Sequence, residues 1–291
     1  MEKPYYFEFI AMTTPCVVQV YDGNFENAQL CFEQIKKNTF ALEKKYNFFD
    51  KKSYLNKTIN QRKKFRVKLD KQTYQVLEKI RVLSLATNGV FDITMGTLKQ
   101  CYKKQSLVES ERCLEKLSSK TGLDSWDLES NNYISFKYPE TLVDLGGVIK
   151  EYSVDEAAKK VRQFGIKSAI VNFGGDIHTV GNKPNGKNFA IGVKNPKNPK
   201  ENLVVVNLKN QALTTSASYE RSVNIENKSF SHIIGVNPQK TDILSATIIA
   251  DSTLKCGVYS TSFMLSTEID IPDDLKVVLV DSELKLHQNL Q

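Results

Sequence analysis

The spacing of apolar residues changes several times along the chain, and each change predicts an element. Tyr6 to Met12 and Cys16 to Tyr21 are dense in aromatic and β-branched residues. Both runs predict strands within residues 5–21, closed by a turn at Asp22-Gly23-Asn24. From Asn27 to Tyr46 the period lengthens. Ala28, Phe32, Ile35, Thr39, Leu42 and Tyr46 recur at alternating steps of four and three, the stripe of an amphipathic helix, with Cys31 beside it as a core thiol. Asp70 to Thr87 predicts a second helix. Asp70 is placed to cap it, Val76, Leu77, Ile80 and Leu83 line its inner side, and Asn88-Gly89 stops it. Asp155 to Phe164 predicts a third, with Ala157, Ala158 and Val161 inward and Gly165 at its end. Ser168–Phe173, Phe189–Val193, Leu203–Leu208, Leu244–Ala250 and Val277–Asp281 read as further strands, and Val258 to Leu265 as a helix.

No internal repeat, low-complexity stretch or long Gly/Ser/Pro linker divides the 291 residues. The expectation is one mixed α/β (α+β) domain over residues 1–291, a mixed β-sheet core flanked by helices. Hydrophobic residues at 41% allow a sizeable core. The net charge of +7 favours anionic partners. Its lysines and arginines are scattered, however, and the runs Arg62-Lys63-Lys64 and Lys194 to Lys200 hold few aromatic residues. Single-strand readers need aromatic platforms in a basic groove, so a solvated surface and no nucleic-acid partner is the reading. The five cysteines form no CxxC pair and their number is odd. That predicts neither a disulfide framework nor a zinc site, and a reducing compartment. No apolar h-region or lipobox-like cysteine opens the chain, and no apolar run approaches the roughly 20 residues that span a bilayer. The expected location is cytoplasmic, without a signal peptide or membrane contact.

Four clusters carry candidate chemistry. Asp144-Leu145-Gly146-Gly147-Val148-Ile149-Lys150 precedes the third helix. Paired glycines let a ligand approach the backbone, a helix N-terminus favours phosphate, and Lys150 adds a point charge; a Gly-Gly turn can equally only connect elements. Asn172-Phe173-Gly174-Gly175-Asp176 ends a buried strand, where ligands of α/β folds often sit, or else makes a tight turn with Asp176 as a cap. Val90-Phe91-Asp92-Ile93-Thr94 could pack on and hydrogen-bond a heteroaromatic ring, or be an ordinary loop. Thr215-Ser216 through Arg221, then His232-Ile233-Ile234, offer hydroxyls, a guanidinium and an acid–base group, although a His beside two isoleucines is also a common core residue.

The order of these clusters is more specific than any one of them. Phe91-Asp92-x-Thr94, Asp144-Leu-Gly-Gly-x-x-Lys150, Asn172-x-Gly-Gly-Asp176, Thr215-Ser216-x-x-Tyr219 and His232-Ile-Ile234 resemble, in sequence, the signature of the FAD:protein FMN transferase (ApbE-type) family. Met12-Thr13-Thr14, Phe49 to Ser53, Leu55-Asn56 and Ser245 to Ala250 extend the likeness from about Met12 to Leu265. The resemblance implies FAD as substrate and magnesium as its metal. FMN would pass to a Thr of an acceptor flavoprotein, or FAD would be hydrolysed to FMN and AMP. By position it implies Met12, Phe49, Val90, Phe91, Asp92, Asp144, Lys150, Asp176, Thr215 and Ile234 around FAD. His232 would lie at the reacting phosphate, and Gly147, Ser260 and Thr261 at the metal.

Three departures go with it. The family sets an Asp four residues before a Thr on a late helix as metal ligands; this chain keeps Thr261 but reads Gly257. The family's His-x-x-Asp-Pro-x-Thr-Gly is broken around Asn237-Pro238. Thr13 and Ala217 stand for glycines, Glu151 for a common glycine after the lysine, and Phe49 for a Tyr. The resemblance therefore implies an active flavin transferase or, as the alternative, a flavin-nucleotide binding protein weakened by loss of the metal carboxylate.

Overall fold

The computed structural model describes residues 3–103, 106–198, 200–217, 222–225, 228–231 and 241–290. Its strands are β1 (Tyr5–Ala11), β2 (Thr14–Val20), β3 (Arg66–Lys68), β4 (Trp126–Glu129), β5 (Tyr133–Phe136), β6 (Ala169–Phe173), β7 (Asp176–Val180), β8 (Phe189–Lys194), β9 (Asn202–Leu208), β10 (Ala212–Ala217), β11 (Ser222–Ile225), β12 (Lys228–Ser231), β13 (Ile243–Ala250), β14 (Lys276–Asp281) and β15 (Leu286–Gln288). Its helices are α1 (Phe25–Tyr46), α2 (Lys71–Ala86), α3 (Gly96–Lys99), α4 (Leu107–Ser118), α5 (Ile149–Gln163) and α6 (Thr253–Phe263). The mixed α/β architecture is as expected; the central sheet, in the order β1-β2-β6-β7-β10-β13-β14-β15, is not itself mixed but antiparallel at every pairing. Strands β3, β5 and β4 form a smaller sheet, and β8–β9 and β11–β12 pair separately.

Helix α1 packs on β1 and α5, α5 on β6 and β7, and α6 on β10 and β13. The stripe read from the sequence is the buried side of α1: Ala28, Phe32, Ile35, Thr39, Leu42 and Tyr46, with Cys31 also buried. Asp70 caps α2, its carboxylate accepting the Thr73 N–H at 2.9 Å. One part of the core joins α1, α2 and the α5 N-terminus around Leu55, Ile59, Leu77, Ile80 and Phe91. A second, around Phe9, Phe32, Val154 and Phe173, lies under β1, β2 and β6.

Two helices begin earlier than the sequence predicts. Helix α5 starts at Ile149, not Asp155, which places Lys150 in its first turn. Helix α6 starts at Thr253, five residues before Val258, with Ser252 as its cap. Thr215 and Ser216 belong to β10, a strand the spacing of apolar residues does not show.

The cysteine expectation is overturned. Cys101 and Cys113 form a disulfide across 12 positions, their Cα atoms 5.5 Å apart, while Cys16, Cys31 and Cys256 are buried thiols. The partners lie on different elements, which the search for CxxC spacing cannot detect. The bond also removes the premise for a reducing compartment. A closed loop of this length is expected to contribute about 3 kcal/mol by restricting the unfolded chain. The melting temperature of the Cys101→Ser/Cys113→Ser protein, compared with the parent with and without dithiothreitol, measures it. An unchanged midpoint would show that the bond contributes nothing to stability. Among the described residues no helix is long and apolar enough to cross a membrane.

Candidate functional site

The site grows from the turn that leads into α5. Val148 precedes the helix without a side-chain cap, and the Leu145 carbonyl instead accepts the N–H groups of Val148 and Ile149 at 3.0 and 2.9 Å. Asp144 shapes this turn. One carboxylate oxygen accepts the Gly146 N–H at 2.8 Å, and the other pairs with Lys99 of α3. The Asp144 N–H donates to the Ile93 carbonyl at 2.7 Å, so the 91–94 segment lies against the turn. Gly147 faces the Phe91 ring; a Cβ there would lie 3.8 Å from it. Val90 is half-buried against the α6 side of the core. Gly96 is closed in by Phe48, and Phe49, 72% exposed, stands edge-on to Phe48 at 5.6 Å at the rim.

Asp92 turns inward. Its carboxylate accepts the Thr94 N–H (2.8 Å), the Thr94 hydroxyl (2.6 Å) and the Gly122 N–H (2.8 Å), bracing the loop that carries Phe91. Burial raises its pKa, and these hydrogen bonds only partly offset the rise.

Lys150 joins the α5 turn to the second motif. Its ammonium pairs with Asp176 and lies 3.5 Å from the Glu151 carboxylate. Asp176 opens β7 opposite Phe173, across the two-residue turn Gly174-Gly175 with φ of 61° and 100°. It is therefore a buried ion-pair partner, not a cap. The Met12-Thr13 turn approaches from the other side, its residues also left-handed at φ of 51° and 62°. Thr13 thus keeps the backbone of the glycine it replaces, at a steric cost. The Met12 N–H donates to Glu43 at 2.5 Å.

Helix α6 brings hydroxyl groups. Ser260 shares a hydrogen bond with Ser216 of β10 at 2.9 Å and donates to the Gly257 carbonyl at 3.2 Å. Thr215 is held by Thr247 across the β10–β13 pairing at 2.8 Å, and Thr261 is half-buried. Gly257 faces α5, where a Cβ would lie 2.6 Å from Glu151 Cγ. His232 and Ile234 lie outside the described residues. The two helices are joined by Asp155, whose carboxylate accepts from Ser252 (2.8 Å), Thr253 N–H (2.7 Å), Leu254 N–H (3.0 Å) and His178 Nδ1 (3.0 Å). Arg162 lies 3.2 Å from His178 Nε2, on the far side of the ring from Asp155.

Segments far apart in sequence thus touch one another around the first turn of α5. The ApbE family model matches residues 12–275. The chain belongs to the ApbE family. Among curated relatives, the FAD:protein FMN transferase of Escherichia coli K12 is 27% identical over 192 residues, 62% of this chain and 54% of the relative. That of Buchnera aphidicola is 26% identical over 230 residues, 73% and 67% of the two chains. The alignment thus spans about half the length of the E. coli relative. Of solved structures, the Thermotoga maritima ApbE protein superposes with a TM-score of 0.86 at 23% identity, covering 98% of this chain and 97% of its own. The flavin transferase ApbE of Vibrio cholerae gives 0.84 at 20% identity, covering 99% and 96%. At such identities these structures bear on the fold.

On the ApbE scaffold, the residues expected from sequence at Met12, Phe91, Asp92, Asp144, Gly147, Lys150 and Asp176 fall on contiguous segments. Ser260 and Thr261 enter on the adjoining α6. Sequence reasoning missed Lys99, Glu43, His178 and the reach of Asp155 to α6. None lies in a glycine or hydroxyl cluster, and only tertiary contacts reveal their partners. Glu151 was visible only as a departure from the family pattern.

Proposed function

We propose that this chain is an FAD:protein FMN transferase. The observation carrying the reading is the convergence of the 12–14, 91–94, 144–151 and 172–176 segments on the α5 N-terminus, with a lysine in its first turn. An N-terminus of this kind, with a cation beside it, suits the pyrophosphate of a dinucleotide. Phe49, exposed at the rim, offers a ring surface to the isoalloxazine, with Phe91 buried behind Gly147; Met12 and Val90 supply apolar contact. Lys99 and Asp92 position Asp144 and Phe91 for their part.

In the proposed reaction the hydroxyl oxygen of an acceptor Thr attacks the FMN phosphorus. The bond from that phosphorus to the bridging oxygen breaks, AMP leaves with the bridging electron pair, and a phosphoester forms. The hydroxyl proton passes to a base, the role assigned to His232. With water in place of Thr the products are FMN and AMP.

Magnesium fits the donor chemistry here. Among the described residues Lys150 is the one cation paired with Asp176 and Glu151, and Glu151 Oε2 is buried with no hydrogen-bond partner. The Gly147 carbonyl and the Thr261 and Ser260 hydroxyls would help to hold the ion, which when bound neutralises phosphate charge. Among the described residues no group of three or more His, Cys, Asp and Glu side chains forms a metal cluster, so hydroxyl, carbonyl and phosphate oxygens must complete such a site.

Incubation with FAD, magnesium and a Thr-bearing acceptor is expected to release AMP in step with flavin on the acceptor, and His232→Ala to slow this about 100-fold or more. Flavin binding without AMP release, with any divalent metal and with water or protein as acceptor, would instead support the weakened binding protein.

A further inference from the structure

We propose that Glu151, from the first turn of α5, supplies the carboxylate ligand of the divalent cation in this chain, in the space that Gly257 leaves open on α6. The inference rests on the transferase reading and concerns the same site.

The first observation is steric. A Cβ on Gly257 would lie 2.6 Å from Glu151 Cγ, 3.2 Å from Cδ and 3.4 Å from Cβ. The Glu151 side chain therefore runs directly over residue 257: its Cγ crowds the place where a side chain on that residue would begin, and its carboxyl carbon is 3.2 Å from it. A carboxylate reaches this place from α5 when α6 offers none. Thr261, one helical turn after Gly257, is on the same side of α6, so its hydroxyl and the incoming carboxylate share a face.

The second observation is chemical. Glu151 is 7% exposed, and its Oε2 has no hydrogen-bond partner among the described residues. A carboxylate oxygen buried without a donor is costly unless something cationic meets it. Lys150 does not suffice. Its ammonium is 3.5 Å from Glu151 Oε1 and already paired with Asp176, leaving two carboxylates against one positive charge. Lys99, the other cation of the turn, is committed to Asp144. The place of Glu151 in the first turn of α5 gives Oε2 no donor either. A divalent ion supplies the missing charge, and oxygen ligands are those magnesium and manganese take.

The test reads metal binding and not turnover. Manganese is titrated into the purified chain with FAD present, following the free-ion electron paramagnetic resonance signal. Flavin fluorescence in EDTA separately reports FAD binding. Glu151→Gln, which keeps the shape, is expected to weaken manganese about tenfold or more while leaving FAD binding in EDTA intact. Glu151→Gly should weaken it as much, and Glu151→Gly/Gly257→Asp should restore it to within about threefold of the parent. Thermal melts with and without manganese give a second readout: the metal-induced rise should vanish in Glu151→Gln and return in the double variant. FAD binding with Glu151→Gln taking up manganese as the parent does overturns the Glu151 assignment alone. Absence of FAD binding by the parent overturns the transferase reading itself. A double variant that folds and binds FAD but stays as weak as Glu151→Gly shows that the two positions do not share the metal, and also rejects the proposal.

Discussion

Asp155→Ala is expected to lower folding stability by about 3–5 kcal/mol, the range for breaking a buried charged network on one side. The carboxylate serves four donors, two of them backbone N–H groups at the start of α6 on residues that are buried, Thr253 and Leu254. Alanine leaves those donors and His178 without their acceptor, and each buried orphan costs about 1–3 kcal/mol. Its side chain is 21% exposed, which favours the lower part of the range. Asp155→Asn keeps one acceptor oxygen and should lose less. Burial works to raise the Asp155 pKa, but the hydrogen bonds from His178, Leu254 and Thr253 outweigh it and hold the group below its ordinary value. The sign follows. The unfolded chain takes up this proton first as pH falls, so the contribution is whole above the unfolded carboxylate pKa of about 3.9 and is lost as pH drops toward the folded value. Urea titrations at neutral pH and through the acid range measure both effects. A shift below about 1 kcal/mol, or an acid limb unchanged in Asp155→Asn, would sink the claim.

Gly174→Ala is expected to cost about 3 kcal/mol and to loosen the Asp176–Lys150 contact. Gly174 sits at φ of 61°, where an L side chain is strained by about 1–2 kcal/mol. Its new Cβ would also fall 2.0 Å from Thr14 Oγ1, 3.0 Å from Thr14 Cβ and 3.1 Å from Cγ2. Rotating Thr14 only exchanges one substituent for another, so the β1–β2 and β6–β7 turns must part, at about 1–3 kcal/mol for overpacking. The Gly174 N–H bond to the Pro15 carbonyl, 2.9 Å long, lies in that contact. Adding Thr14→Ala should recover part of the loss, and the difference between the double variant and the sum of the singles gives the coupling. Strict additivity in denaturant melts would place the strain elsewhere.

The elements with a strong period were legible: α1 and α2 from their stripes, β6 and β13 as apolar runs, the Gly174-Gly175 turn from its glycines. The start of α5 was not, for a physical reason. Asp155 has the chemistry of a cap and is one, but for α6, reached through space from the middle of α5. Val148, the residue that does precede α5, has no side chain able to cap, so the local signal pointed six residues too far along. The early start of α6 was hidden because Gly257 weakens the helical reading of residues 253–257. Hydroxyl-rich β10 gave no strand signal because threonine and serine suit turns as well as strands, and the pairing of Thr215 with Thr247 decides it. The motif clusters were legible as a set. Their mutual contacts, such as Lys150 with Asp176 or Asp144 with Lys99, join residues 26 and 45 positions apart and follow only from the folded chain.

The close fit of Glu151 over Gly257 bears on how such a chain can change by mutation. Installing Asp at 257 first drives a side chain into Glu151; removing Glu151 first opens a hole and strips a charge. A side chain at 257 and Glu151 compete for one space, so substitutions at the two positions are expected to be strongly coupled. Under the proposed Glu151 assignment, position 257 on its own says nothing of whether this chain holds a metal, because the carboxylate would come from the neighbouring helix.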